Sequence, residues 1–129
     1  MTDGEFARAF EAGEISNADF HHRDHVRLAW FYVRRYGTEE ADQRIAAAIR
    51  NFAGRHGKLD KYHHTMTIAW MRLVSPAAAL ASFDTVTGAF PRLFDKTYLS
   101  EFYSDELLSS DAAKKTFVEP DKQPFCVVK

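Results

Sequence analysis

The chain has 129 residues, 46% of them hydrophobic, which is enough to bury a core as one domain without disulfide or metal staples. Its formal charge is −1, with both signs mixed along the sequence, and that argues against an obligate nucleic-acid binder, whose phosphate partners call for a basic excess. No run approaches the roughly 18 apolar residues of a membrane span, the MTDGEF start does not read as a signal peptide, and the single cysteine, Cys126, excludes an internal disulfide and any cysteine-based zinc motif. The expectation is a cytoplasmic protein with no nucleic-acid or membrane partner.

Thr2-Asp3-Gly4-Glu5 has the form of a capping box, and Phe6 and Phe10 follow one turn apart, so a short helix is expected to end at Gly13. Glu14 to Asp19 connects, with caps on offer at Ser16, Asn17 and Asp19. Then comes FHHRDHVRLAWFYVRRYG, Phe20 to Gly37, with His21, His22 and His25 ahead of an amphipathic run. At about 100° per residue, Val26, Ala29, Val33 and Tyr36 share a stripe with His22 and His25, and His21 lies at its edge. A helix over 23–36 is predicted. Arg23, Arg27, Arg34 and Arg35 take the other side, interrupted by Asp24, and read as a solvated face. Phe31 projects with the arginines and needs cover from the C-terminal segments or a second subunit, which suggests a homodimer.

Gly37 should stop that helix and Thr38 cap the next, over 39–55, with Glu39 and Glu40 suited to its positive end. Ala41, Ile45, Ala48, Ile49 and Phe52 form its buried stripe, and His56, next to Gly57, reads as a C-terminal cap. Asp60-Lys61-Tyr62-His63-His64-Thr65 opens a fourth helix over 61–74, with Asp60 as cap. On it His63 faces inward with Tyr62, Met66, Thr67, Trp70, Leu73 and Val74, while His64 is turned a quarter of the way round. Ser75-Pro76 starts a fifth helix carrying Ala79, Leu80, Phe83 and Val86 to Gly88 or Pro91. Short pieces follow, Ser110 caps a last helix through Phe117, and Pro120 and Pro124 make the final ten residues an extended tail laid over the bundle. No stretch of five or more residues alternates. The predicted fold is all-α, a compact single domain over 1–129: a bundle of five to seven helices with an extended C-terminal tail.

Each histidine knot sends an imidazole to the buried side of its helix. Neutral imidazole is the commonest protein ligand for zinc, iron and copper. His22 and His25 on one helix, joined by His63 from another, would supply three nitrogens and leave a position open, as catalytic sites do. These three are the predicted ligands of a divalent transition metal, with His21 and His64 second in line. Tyr62, Asp24 or Asp60 could complete or support the set. Tyr62 and Lys61 would orient a small-molecule substrate or transfer a proton. Two other readings are kept. One is a metal-free acid–base enzyme using histidine and Tyr62; the other is a non-catalytic metal- or ligand-binding protein. An open coordination position facing an apolar pocket favours the metalloenzyme, and saturated histidines favour its rivals.

FHHRDHVRLAW, KYHHT and the late FVEPD together resemble a family of small, uncharacterised bacterial α-helical proteins with the motifs F-x-H-x-x-H-h-R-x-A-W and K-Y-H-x-T. The motifs fall on His22, His25, Arg27, Ala29 and Trp30, and on Lys61, Tyr62, His63 and Thr65. The resemblance implies a bacterial helical protein and singles out His22, His25 and His63; it carries no reaction. His21 lies outside the pattern, and the family often has Glu where this chain has His64.

Overall fold

In a computed structural model the chain is described over residues 1–125. Cys126, the last part of the expected tail, lies outside the described residues. Among them there are seven α-helices joined by five short 3-10 turns, and no strand. The helices are α1 (Asp3–Glu11), α2 (His22–Tyr36), α3 (Thr38–Arg55), α4 (His64–Val74), α5 (Phe83–Ala89), α6 (Asp105–Leu108) and α7 (Asp111–Lys115). The all-α prediction holds.

The start of α1 follows its sequence signal. Glu5 N–H donates to Thr2 Oγ1 at 3.1 Å and Thr2 N–H to Glu5 Oε1 at 2.7 Å, a reciprocal capping box. The helix ends before Gly13, whose φ of +80° is open to glycine at little cost. Phe6 and Phe10 then bury into the core, Phe10 stacking on Phe52 of α3.

α4 is the centre of the molecule. Thr65, Thr67, Ile68, Ala69, Trp70, Met71, Leu73 and Val74 are all buried, so this helix is covered on almost every side. It lies against α2, α3 and α7. Burying side chains such as Leu28, Ile45 and Met71, each at most 1% exposed, stabilises the fold by about 1.5–3 kcal/mol apiece. The two buried threonines are satisfied. Thr65 Oγ1 donates to Thr116 O (2.8 Å) and accepts from Val118 N–H (3.1 Å), which pins the segment after α7 onto α4. Tyr103 Oη donates to Val118 O and Lys122 N–H to Phe102 O, so the described part of the tail is laid over the bundle as expected.

Four local expectations are corrected. α4 begins three residues late: Leu59–Lys61 forms one 3-10 turn, Tyr62 and His63 are extended, and His63 rather than Asp60 holds the cap position. Thr38 is the first helical residue of α3, and Gly37, at φ +79°, stands at its cap. The long fifth helix is broken, with a 3-10 turn over Ser75–Ala79, an extended Leu80, and α5 starting only at Phe83. At the break, α2 supplies outside donors for the carbonyls: Trp30 Nε1 and Arg34 Nη1 bond Leu80 O at 3.2 and 3.1 Å, and Arg34 also bonds Ala78 O at 2.7 Å. The arginine face of α2 is consequently not simply solvated. Arg27 pairs with Asp3 at 2.7 Å and lies over Phe6, and Arg23 lies over Phe83 and Phe94.

Phe31, whose exposure motivated the homodimer, packs partly buried against the core, with Gly4 of α1 beside it. Part of its cover thus comes from α1, within the chain. No single helix among the described residues is long and apolar enough to cross a membrane.

Candidate functional site

The predicted metal set is not assembled. Among the described residues, no three His, Cys, Asp or Glu side chains are placed to share one metal ion. The reason is plainest at His63. Its Nδ1 accepts from Met66 N–H at 3.1 Å, closing the first turn of α4, and its Nε2 lies 2.7 Å from Leu108 O at the end of α6. A carbonyl accepts only, so Nε2 carries the proton and Nδ1 uses its lone pair on the helix. No lone pair is left for a metal.

His22 is occupied too. Its Nε2 lies 2.8 Å from Leu93 O, and its ring stands edge-on to Trp70 with centroids 4.5 Å apart. It fastens the 3-10 turn Pro91–Phe94 to α2 and α4, and burial holds its pKa below the ordinary histidine value. His25 is one turn on, with ring centroids 6.4 Å from His22 and 6.3 Å from Phe20. The residue as a whole keeps some accessible surface, but its Nε2 is sealed and has no hydrogen-bond partner. Burial, helped by the His22 charge, pushes its pKa down to about 4, so it is neutral at ordinary pH. His56 ends α3 as the sequence indicated, and its Nε2 is likewise enclosed and unpartnered beside Phe52. His21 stands at the cap position of α2, where its backbone N–H donates to Asp24 Oδ2 at 2.9 Å and its side chain is mostly exposed.

The Tyr62 region is different. Because the residues before α4 are extended rather than helical, Tyr62 and His64 come together across His63: Tyr62 Oη and His64 Nδ1 are 2.8 Å apart. The Arg50 guanidinium of α3 lies 4.8 Å from the centre of the Tyr62 ring. On one side of the pair is a shallow cleft of about 500 Å³, reached by Arg50, Tyr62, Lys114 and Lys115, with Asp60 and Asp111 at its edge. On the other is a cleft of about 410 Å³, walled by Arg50, His64, Arg72, Asp42, Ile68 and Phe117. Arg72 is held there by a two-pronged ion pair with Asp42, at 2.8 and 3.1 Å. Arg50 forms no ion pair among the described residues.

These neighbours set the proton positions. Burial lowers the His64 pKa and the nearby Arg50 charge lowers it further, against a smaller opposing pull from Asp42. Burial raises that of Tyr62. At neutral pH the pair is therefore a neutral imidazole bonded to a protonated phenol. One nitrogen of His64 is held by Tyr62, and Nε2 is left for whatever enters the cleft. Lys61, the other predicted catalytic residue, sits exposed on the 3-10 turn and takes no part in the pair.

Of the predicted residues, the structure thus brings together Tyr62 and His64, a pairing the sequence reading missed because it ran the helix through both. Arg50, Arg72 and Phe117 were not singled out as site residues. An arginine one turn apart from an apolar stripe, as Arg50 is from Ala46, gives no signal of its own; only the packing of α3 on α4 brings it to Tyr62. No family model, curated protein or solved structure matches this chain.

Proposed function

We propose that this chain binds a small anionic molecule in the cleft between α3 and α4, and that the Tyr62–His64 pair exchanges a proton with it without a metal. The observation that carries this reading is the 2.8 Å Tyr62–His64 contact, set beside two guanidinium groups, Arg50 and Arg72. A partly buried neutral histidine oriented through one nitrogen is placed for acid–base work: its Nε2 takes a proton where Nδ1–H donates to Tyr62 Oη, and gives one where the Tyr62 hydroxyl donates to Nδ1. The arginines supply charge where an oxyanion would sit, in planar forks that match a carboxylate or phosphate. An anion arriving there also counteracts the Arg50 charge, and so makes His64 more basic at the moment of binding.

Isothermal titration with inorganic phosphate and with succinate tests the reading. Arg50→Ala and Tyr62→Phe should each weaken the binding, the arginine change by about ten-fold, as removal of one charge-assisted hydrogen bond does. Binding unchanged by both substitutions, or no binding of either anion at millimolar concentration, would end the proposal. Metal dependence, the reading that the His-x-x-His spacing favours, would require His63 to give up at least its Nδ1 cap on Met66 N–H, since its Nε2–H is spent on Leu108 O. Elemental analysis of untagged protein checks it: a stoichiometric metal lost in His63→Ala but kept in His64→Ala would restore it.

A further inference from the structure

A second cavity, of about 420 Å³, opens where the C-terminal half of α4 meets the turn after α5. Its volume falls within the range that encloses small ligands. Leu73, Phe90, Leu93, Tyr98 and Phe125 make its wall largely apolar, and among the described residues no carboxylate lines it. Its charged groups are both cations, Arg72 and Arg92. Each is oriented in advance: Arg92 pairs with Glu101 and lies 4.3 Å from the Tyr98 ring centre, and Arg72 pairs with Asp42. A guanidinium has five N–H donors, so a single carboxylate partner leaves donors over for a ligand. The floor is also fixed, since His22 holds the carbonyl of Leu93 and rests against Trp70.

A largely apolar cavity whose described wall carries two cations and no anion selects a molecule with an apolar body and one negative end. We infer that this cavity binds a small amphipathic carboxylate, of the size of a medium-chain fatty acid, with its carboxylate at Arg92. The site is separate from the Tyr62–His64 pair, although Arg72 borders both. It does not depend on the function proposed above.

The test uses the full chain with octanoate and with octanol, which share an alkyl body and differ in charge, followed by isothermal titration and tryptophan fluorescence. Octanoate should bind at least about ten-fold more tightly than octanol, the value of one charge-assisted contact. Arg92→Gln, at a side chain that is 60% exposed and so outside the core, should bring the two ligands to equal affinity. Ala89→Trp, which adds bulk at an exposed position on the rim, should abolish both. Equal binding of octanoate and octanol by the unaltered protein, or octanoate binding that survives Ala89→Trp, would overturn the inference. So would the absence of octanoate binding up to millimolar concentration. The His64 resonances report the other site, so loss of one response leaves the other readable.

Discussion

At the entrance to α4, His63 uses both ring nitrogens inside the fold, whereas His64, one residue on, bonds only Tyr62 and borders a cleft lined by arginines. The same split runs through the molecule. His22 ties a turn down, and His25 is sealed in neutral form among aromatic rings. Only His63 has both nitrogens bonded; His22 bonds through one and is half-buried, and the Nε2 of His25 is sealed without a partner, so burial takes these two out of reach of a ligand. The Tyr62–His64 pair keeps a nitrogen in reserve and has charge arranged around it. Position on a helical wheel does not distinguish the two cases; the partners of each nitrogen together with its burial do. An unpaired buried polar group costs about 1–3 kcal/mol, a cost that His63 avoids by bonding both nitrogens and that His25 and His56 carry at their enclosed Nε2 atoms. The residue turned partly away is the one left available.

The largest effect that sharpens this contrast is in acid. His25 has a folded pKa near 4, below its ordinary value of 6.5, so the unfolded chain takes up its proton first. Between those values the unfolded state binds more protons, and stability falls as pH falls. The contribution is flat above pH 6.5 and complete below about 4, with a total loss of about 3 kcal/mol. His22 and His64, also shifted down, act in the same direction. Urea unfolding of His25→Leu should show a markedly flatter stability between pH 6.5 and 4 than the unaltered protein. Parallel curves would mean that His25 is protonated or paired in the native state, and the structural class would lose its clearest member.

His63→Ala comes next. It removes the helix cap on Met66 N–H and the bond to Leu108 O, and should cost about 2 kcal/mol, shared between a cap and a half-buried hydrogen bond. His63→Asn retains a capping oxygen and should recover about half of that loss. The measurement is the urea midpoint at constant slope, and it should not respond to a chelator.

The smallest effect on stability belongs to the cleft. Tyr62→Phe leaves the ring against Arg50 and deletes the one part-buried bond to His64, so stability should fall by no more than about 1 kcal/mol while anion binding weakens. A large loss of stability here would move Tyr62 into the structural class and break the comparison.

The helical fold is legible in the sequence because apolar spacing is a local property. The Thr2 to Glu5 capping box and the stripes of α2 and α3 need no knowledge of the rest of the chain. What fails is decided at a distance. The Ser75–Ala89 stretch has the pattern of one helix, yet Trp30 and Arg34 of α2 capture the Ala78 and Leu80 carbonyls and the chain breaks there. His63 looks like a ligand until Leu108, 45 residues later, supplies the carbonyl that fixes its tautomer. The start of α4 is an error of only three residues, but it matters most: an extended Tyr62-His63 segment lets Tyr62 reach His64, whereas a helix would send the two side chains to different faces. Side-chain chemistry could be read from the sequence, and its partners could not.

The decisive difference is whether His64 or the His22–His25–His63 set answers a ligand. Nitrogen-15 NMR of the imidazole side chains, recorded as a pH titration with and without inorganic phosphate and again with zinc, measures this directly. The predicted result is a neutral His63 ring that is the Nε2–H tautomer with or without zinc, and a His64 whose pKa rises when phosphate is added. A His64 that ignores phosphate, with His22, His25 and His63 shifting together at one equivalent of zinc, would contradict it.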